Sequence, residues 1–452
     1  MEVQNKKILV IGLGRSGLAA AKVLHHRGAM VTACDVKTEE QLGAVVSELK
    51  QSGITVWAGG YPPVSPASTD LIVISPGVPL TIPPVQQALA DNIPILSELE
   101  LAYRFSPASF VAITGTNGKT TTTALIGQIL QEAGFPVLVG GNIGLPLIEE
   151  VTKLTPAHVV VAEVSSFQLE RSEEFRPKVA VILNITPDHL DRHGTMDEYT
   201  RAKAKIFARQ QPGDFTVLNY DDKIVRGLAD QVPGQVIFFS RKQELNEGVF
   251  VRSGQVVVRM DEIETVICPT LEIGIKGAHN LENALAAVGA TWVLGVTPES
   301  LAHSLRKFPG VPHRLEFVAE INGVKYINDS KGTNPDAAMK ALDVYSEPIV
   351  LIAGGKNKGS DFTEFAQMIR HKVKDLVLVG QASGAIRQAV EKTGFTNIHQ
   401  ATTFPEAVIM ASKLAEPGDV VLLSPACASW DMFNNFEERG DLFKQVVRSL
   451  RG

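Results

Sequence analysis

The feature that most constrains the fold of this chain is a series of short apolar, β-branched segments, each closed by small or turn-forming residues. They read "KILVIG", "LIVISPG", "FVAITG", "HVVVAEV", "VAVILNI", "PIVLIAGG", "DLVLVG" and "DVVLLSP". None alternates with polar residues, so they predict strands buried on both faces. Amphipathic helical periods follow most of them, as over 120–133, and strand–loop–helix units of this kind build parallel, doubly wound sheets. Residues 215–269 differ. There apolar and polar positions alternate between Gly and Asp turns, which predicts added antiparallel strands. A chain of 452 residues has room for two to four domains. The expected architecture is α/β in three domains. A Rossmann-like domain spans 1–97, and a second Rossmann-like domain spans 310–452. Between them, 98–309 form a P-loop-type domain with a parallel sheet plus a small antiparallel sheet. The prolines of "SPGVPLTIPP" and "FPGVPHRLE" mark the joints.

Composition removes several classes. A net charge of −6 supplies no basic field, so no nucleic-acid partner is expected. Cys34, Cys268 and Cys427 lie far apart with no CxxC pair, which speaks against a disulfide framework or a zinc site and suits a reducing compartment. No apolar run reaches the ~18 residues of a membrane helix, and "MEVQNKKILV" lacks a signal peptide's apolar core. The expectation is a cytoplasmic chain without membrane insertion.

Chemistry concentrates at the ends of the expected strands. In "VIGLGRSG", Gly12, Gly14 and Gly17 match G-x-G-x-x-G after a strand, and Asp35 follows the next strand. Alone this says NAD, but any diphosphate has the same need for close backbone approach, and a tight turn without ligand stays open. The second loop is "GTNGKTTTT". A general phosphate loop has Gly five places before the Gly of Gly-Lys-Thr, which here is Ile113; the glycine stands at Gly115 instead. Gly115 and Gly118 free the backbone to wrap phosphates, Lys119 reaches their charge, and Thr120 offers a hydroxyl to Mg2+. Four consecutive threonines are a poor choice for helix stability alone.

Downstream, Glu163 ends an apolar strand, where an isolated acid is costly unless paired or holding a cation. Asp188 and His189 follow another strand end beside Asp191 and His193. A core histidine and a metal or phosphate role are both open. Thr195 and Glu198 predict a capping box and a helix carrying Lys203 and Lys205, which taken alone read as a solvated basic face. In "YINDSKGTNPDA", "LIAGGKNKGSDF" and "LLSPACASWDMFNNFEERG", the residues Lys331, Thr333, Lys358 and Ser429 suit carboxylates or phosphates, or ordinary loops.

Taken together, "GTNGKTTTT", "GGNIG", "AEVSSFQLE", "NITPDHLDRH", "AHNLENALAA", "PHRLE", "NDSKGTN", "GGKNKGSDF" and "SPACASWDMF" resemble the Mur ligase family over essentially the whole chain. "SSFQLE", "PHRLE", "NDSKGTN" and "SPACAS" are similar to its D-glutamate-adding branch, and the DNPR motif of the diamino-acid-adding branch is missing. Folylpolyglutamate synthetases share the ATP loop but not the first domain. The resemblance implies ATP-dependent amide-bond formation with UDP-N-acetylmuramoyl-L-alanine, D-glutamate and ATP as partners, two Mg2+ ions, and a monomer. It implies that Arg15, Ser16, Asp35, Val36, Lys37, Gly77 and Asn142 line the UDP-sugar site, with Ser165 and Gln168 at its sugar-peptide end. Gly115, Thr116, Asn117, Gly118, Lys119, Thr120 and Thr121 would hold ATP together with Asn280, Asn283, Arg314 and Asp329. Thr120 and Glu163 would hold one Mg2+. His189 and a carbamylated Lys203 would hold the second. Lys331, Thr333, Lys358, Ser429, Trp430 and Phe436 would surround D-glutamate, although Trp430 departs from the smaller aliphatic residue usual there.

Overall fold

The computed structural model describes residues 1–144 and 146–450, so the last two residues of the expected third domain lie outside the described residues. The chain divides into two compact units, one of residues 1–185, 195–272 and 282–306, the other of 186–194, 273–281 and 307 onward.

The first unit holds two sheets. β1 (Lys7–Ile11), β2 (Met30–Asp35), β3 (Thr55–Ala58), β4 (Leu71–Ile74) and β5 (Ile95–Ser97) form a parallel sheet in the order β3-β2-β1-β4-β5. The helix Arg15–His26 buries Ala19, Ala20, Ala21 and Leu24 against it. That helix closes tightly on its preceding loop because residue 17 has no side chain: a Cβ on Gly17 would stand 1.8 Å from the Gly12 carbonyl oxygen.

The second sheet comprises β6 (Ser109–Thr114), β7 (Val137–Gly141), β8 (Val159–Glu163), β9 (Val179–Ile182), β10 (Phe215–Asn219), β11 (Gln235–Ser240), β12 (Gly248–Arg252), β13 (Gln255–Met260) and β14 (Ile263–Pro269). Its order is β14-β13-β12-β11-β10-β9-β6-β8-β7. Strand direction changes within this sheet, and β11 and β12 are parallel although only residues 241–247 join them. Residues 220–234 give β10 and β11 room for a crossover, and the two pair in parallel. Ser253–Gly254 and Asp261–Glu262 are two-residue links with all four residues at positive φ, the geometry of tight hairpins, so β12, β13 and β14 run antiparallel. The antiparallel part expected over 215–269 is therefore confined to its second half and continues the parallel sheet.

The second unit is built on β15 (Glu316–Ile321), β16 (Val324–Asn328), β17 (Ile349–Ala353), β18 (Val373–Leu378), β19 (Ile398–Gln400) and β20 (Val420–Leu423), ordered β15-β16-β20-β17-β18-β19. All neighbours are parallel except β15 and β16, which the Asn322–Gly323 turn joins as a hairpin. Alternation along β17 shows why its run is wholly apolar. Ile349 and Leu351 face the helices Pro335–Leu342 and Thr363–Lys372, while Val350 and Ile352 face Phe404–Leu414 and Phe436–Ser449. Burying such a side chain contributes roughly 1.5–3 kcal/mol.

The three cysteines are unpaired and buried. Burial pushes the thiols of Cys34 and Cys427 up to about 12, and raises that of Cys268 as well. No helix among the described residues is long and apolar enough to cross a membrane.

Candidate active site

Parallel strands deliver their following loops to one edge of a sheet, and ligands bind at that edge. In the first sheet β1, β2 and β4 bring Arg15, Ser16, Asp35, Val36, Lys37 and Gly77 there. Gly14 opens the helix Arg15–His26 without a side-chain cap, and no atom lies within 4 Å of where its Cβ would be. That leaves an approach to free backbone amides. Asp35 is already engaged: it accepts from the Leu13 amide at 2.7 Å and the Lys37 amide at 3.0 Å, tying two loops together. Arg15 donates to the Gly144 carbonyl at 3.5 Å.

The second sheet carries the phosphate-loop stretch. Gly115 has φ +152° and Gly118 φ +88°, values that a side chain resists. A Cβ on Gly118 would also lie 2.2 Å from Asn283 Oδ1. Asn184 braces the turn, accepting from the Asn117 amide at 2.9 Å, donating to its carbonyl at 3.0 Å, and accepting from the Thr116 amide through its own carbonyl at 2.9 Å. Gly118 then caps the helix Lys119–Glu132, mostly buried at Thr121 through Leu130. The Lys119 ammonium folds back over the turn, donating to the carbonyls of Gly115 at 2.9 Å and Thr116 at 2.8 Å. Thr120 Oγ1 donates to Glu163 Oε2 at 2.7 Å, and Asn142 donates to Oε1 at 2.9 Å. Glu163 is 2% exposed. Hydroxyl and carboxylate together offer the hard oxygens that Mg2+ prefers, at the positive end of a helix where phosphate is also favoured. The hydroxyls of Thr121, Thr122 and Thr123 are buried without a hydrogen-bond partner.

Lys203 is 1% exposed. It donates to the Gly115 carbonyl at 2.8 Å and to Thr114 Oγ1 at 3.5 Å, with its ammonium 4.6 Å over the Tyr199 ring. The solvated-face reading is thus corrected for Lys203. Its helix, Met196–Ala204, turns Tyr199, Ala202 and Lys203 inward and ends before Lys205, which is exposed and donates to the Glu170 carbonyl. Thr195 caps that helix by accepting from the Glu198 amide at 3.2 Å, but the Glu198 side chain pairs with Arg201 instead of completing the box. Ser165 and Gln168 do form a full capping box, at the helix Ser166–Leu169.

In the second unit, Asp188 is a junction. It accepts from the His189 amide at 3.0 Å and Lys358 Nζ at 3.3 Å through Oδ1, and from Asn334 Nδ2 at 3.3 Å through Oδ2. His189 holds φ +54°, a conformation uncommon for a side chain of this size. Asp329 is fully buried, and desolvation pushes its carboxyl up to about 6 against the opposing pull of Arg314 and the Ser424 hydroxyl, which donates at 2.7 Å. Arg314 Nε is itself buried without a partner. Asn280 Nδ2 donates to the Lys276 carbonyl at 2.8 Å. The Lys331 ammonium sits 4.5 Å over the Phe436 ring, and the Thr333 amide donates to the Lys331 carbonyl at 2.9 Å. Ser429 is buried, while Trp430 is 61% exposed. Asn184, Tyr199 and Arg439 were not singled out in the sequence. Tyr199 had a signal in its helical spacing to Ala202 and Lys203; Asn184 and Arg439 lie in stretches already quoted, "NITPDHLDRH" and "FEERG", but nothing there names the remote loops they hold. No group of three or more His, Cys, Asp or Glu able to hold a metal occurs among the described residues.

Comparison with known proteins agrees along the chain. The family descriptions "Mur ligase MurD-like, N-terminal domain", "Mur ligase middle domain" and "Mur ligase, glutamate ligase domain" match residues 6–97, 113–291 and 313–427. The UDP-N-acetylmuramoylalanine--D-glutamate ligase of Pelotomaculum thermopropionicum is 58% identical over 99% of this chain and 98% of its own. The protein of that name from Alkaliphilus metalliredigens is 49% identical over all of both chains. Among solved structures, UDP-N-acetylmuramate-alanine ligase from Thermotoga maritima matches with a TM-score of 0.62 at 21% identity, covering 99% of this chain and 100% of that one, a likeness of fold.

Proposed function

The chain belongs to the Mur ligase family, and from that premise we propose that it joins D-glutamate to UDP-N-acetylmuramoyl-L-alanine with consumption of ATP, in cytoplasmic peptidoglycan precursor synthesis. A carboxylate is a poor electrophile. The alanyl carboxylate first attacks the γ-phosphorus of ATP, giving an acyl phosphate and ADP. The amine of D-glutamate then adds to the acyl carbon, loses a proton, and the tetrahedral intermediate expels phosphate as the amide forms.

Bringing two anions together needs cationic and dipolar groups already in place. The amides of Gly115 to Thr121 would cradle the phosphates, and Lys119 would exchange its two carbonyl partners for phosphate oxygens. Thr120 and Glu163 fit one Mg2+, which when bound screens the crowded charge. His189 and Lys203 are proposed for a second ion, with Lys203 as its carbamate. The burial of Lys203 supports this, since a surface ammonium would not readily give up its proton. Asn280, Asn283, Arg314 and Asp329 are assigned to ATP. Arg15, Ser16, Asp35, Val36, Lys37, Gly77, Asn142, Ser165 and Gln168 are assigned to the UDP-sugar, and Lys331, Thr333, Lys358, Ser429, Trp430 and Phe436 to D-glutamate. Residues 1–97, 98–309 and 310–452 would be the corresponding domains of a monomer.

The observation that carries the reading is the Thr120–Glu163 pair at the mouth of the glycine turn, with Lys119 beside it. Phosphate release is the test. It should require all three substrates and fall to near background with L-glutamate, L-lysine or diaminopimelate. Equal turnover with diaminopimelate would overturn the assignment, and saturable NADH binding would revive a dehydrogenase.

A further inference from the structure

Arg439 is 1% exposed and has no assigned part in the reaction. All its charge is spent inside the second unit. Nε donates to Ser330 Oγ at 2.9 Å and Nη2 to the Ser330 carbonyl at 2.7 Å, while Nη1 and Nη2 reach the Cys427 carbonyl at 3.2 and 3.3 Å. Ser330 Oγ in turn donates to the Phe436 carbonyl at 2.8 Å. Three segments therefore meet on one guanidinium: the loop after β16, the loop after β20, and the first turn of the helix Phe436–Ser449. Those segments carry Lys331 and Thr333, Ser429 and Trp430, and Phe436.

Only a planar fork of five donors can serve these acceptors at once. A surface helix has no need of such a group, and desolvation holds this one down at about 10, still charged at neutral pH. The backbone around it is tight: a Cβ on Gly355 would stand 2.3 Å from the Ala428 carbonyl oxygen and 3.3 Å from Nη1, and Ala426 takes φ +57° beside Cys427.

We propose that Arg439 is the positioning residue of the D-glutamate site, setting the spacing between the Lys331–Thr333 loop and the Ser429 loop. The inference rests on the D-glutamate reading above. Its own content is that the fork, and not the charge alone, fixes the pocket.

Arg439→Lys keeps the charge and loses the fork. Initial rates of phosphate release, with each substrate varied in turn, should show the KM for D-glutamate raised about tenfold, the factor expected for one lost charge-assisted hydrogen bond. The KM values for ATP and the UDP-sugar substrate, and kcat at saturating D-glutamate, should stay within about twofold. Ser330→Ala, which removes one acceptor of the fork, should move the same constant in the same direction by a smaller factor, and it decides the matter if the lysine variant does not fold. Equal shifts in all three KM values, a fall in kcat alone, or an unchanged D-glutamate KM in Ser330→Ala would overturn the proposal. A wild-type enzyme indifferent to D-glutamate would instead overturn the functional reading on which it stands.

Discussion

Glu98 is fully buried at the start of the helix Glu98–Phe105, and burial pushes its carboxyl up to about 7 although the Ile148 amide donates to it at 2.9 Å. Between about 4.5 and 7 the folded protein keeps a proton that the unfolded chain has lost. Stability from this group therefore falls as pH rises through that window and stays low above it. Glu98→Gln carries no such titration. Its stability relative to wild type should rise between pH 5 and pH 8 by something on the order of 1–3 kcal/mol, read from urea midpoints at both values; a constant difference would refute the point. Lys203 is buried as well. Lys203→Ala should lose most activity and recover part of it with short carboxylic acids that fill the vacated space, whereas Lys205→Ala should matter little. Near-normal rates in Lys203→Ala would exclude a role as metal ligand. The place of Lys203 was legible in principle. Counting from Tyr199, it falls at i+4 beside Ala202 at i+3 on the inward stripe, but a charged side chain ordinarily keeps to solvent and masks that spacing.

Elements were most legible where local chemistry dictates them. The apolar runs became the central strands, and Thr195 begins the helix that bears Lys203. Thr195→Ala should cost about 1 kcal/mol of stability, typical of a lost N-cap, measured by thermal unfolding. The glycine turn is stricter. In Gly118→Ala the methyl group would collide with Asn283 Oδ1 in a left-handed backbone. The KM for ATP should rise by more than about tenfold, since the loop must move to relieve a clash worth at least ~1.4 kcal/mol, and an unchanged KM would show that the loop does not hold nucleotide. The parallel pairing of β10 and β11 was not legible from alternation, which marks the two faces of a strand and not the direction of its neighbour.

At the scale of the whole molecule, three sheets each present loops at the carboxyl ends of parallel strands, and the glycine motifs that open the first two were plain in the sequence. What the sequence left unread are the braces between remote segments. Asn184 lies 67 positions from Asn117, and Arg439 lies 109 from Ser330. The motifs mark the segments, but no periodicity tells which remote segment each one meets. The burial of all three thiols carries a practical consequence for bioconjugation. A thiol-reactive dye needs the thiolate, and none of Cys34, Cys268 or Cys427 offers one at neutral pH. The native chain should give almost no colour with Ellman's reagent, and the denatured chain should release the equivalent of three thiols. A cysteine introduced at Ile263, 70% exposed on β14, would then be the single reactive handle. A fluorophore could be attached there without first stripping the protein of its own cysteines.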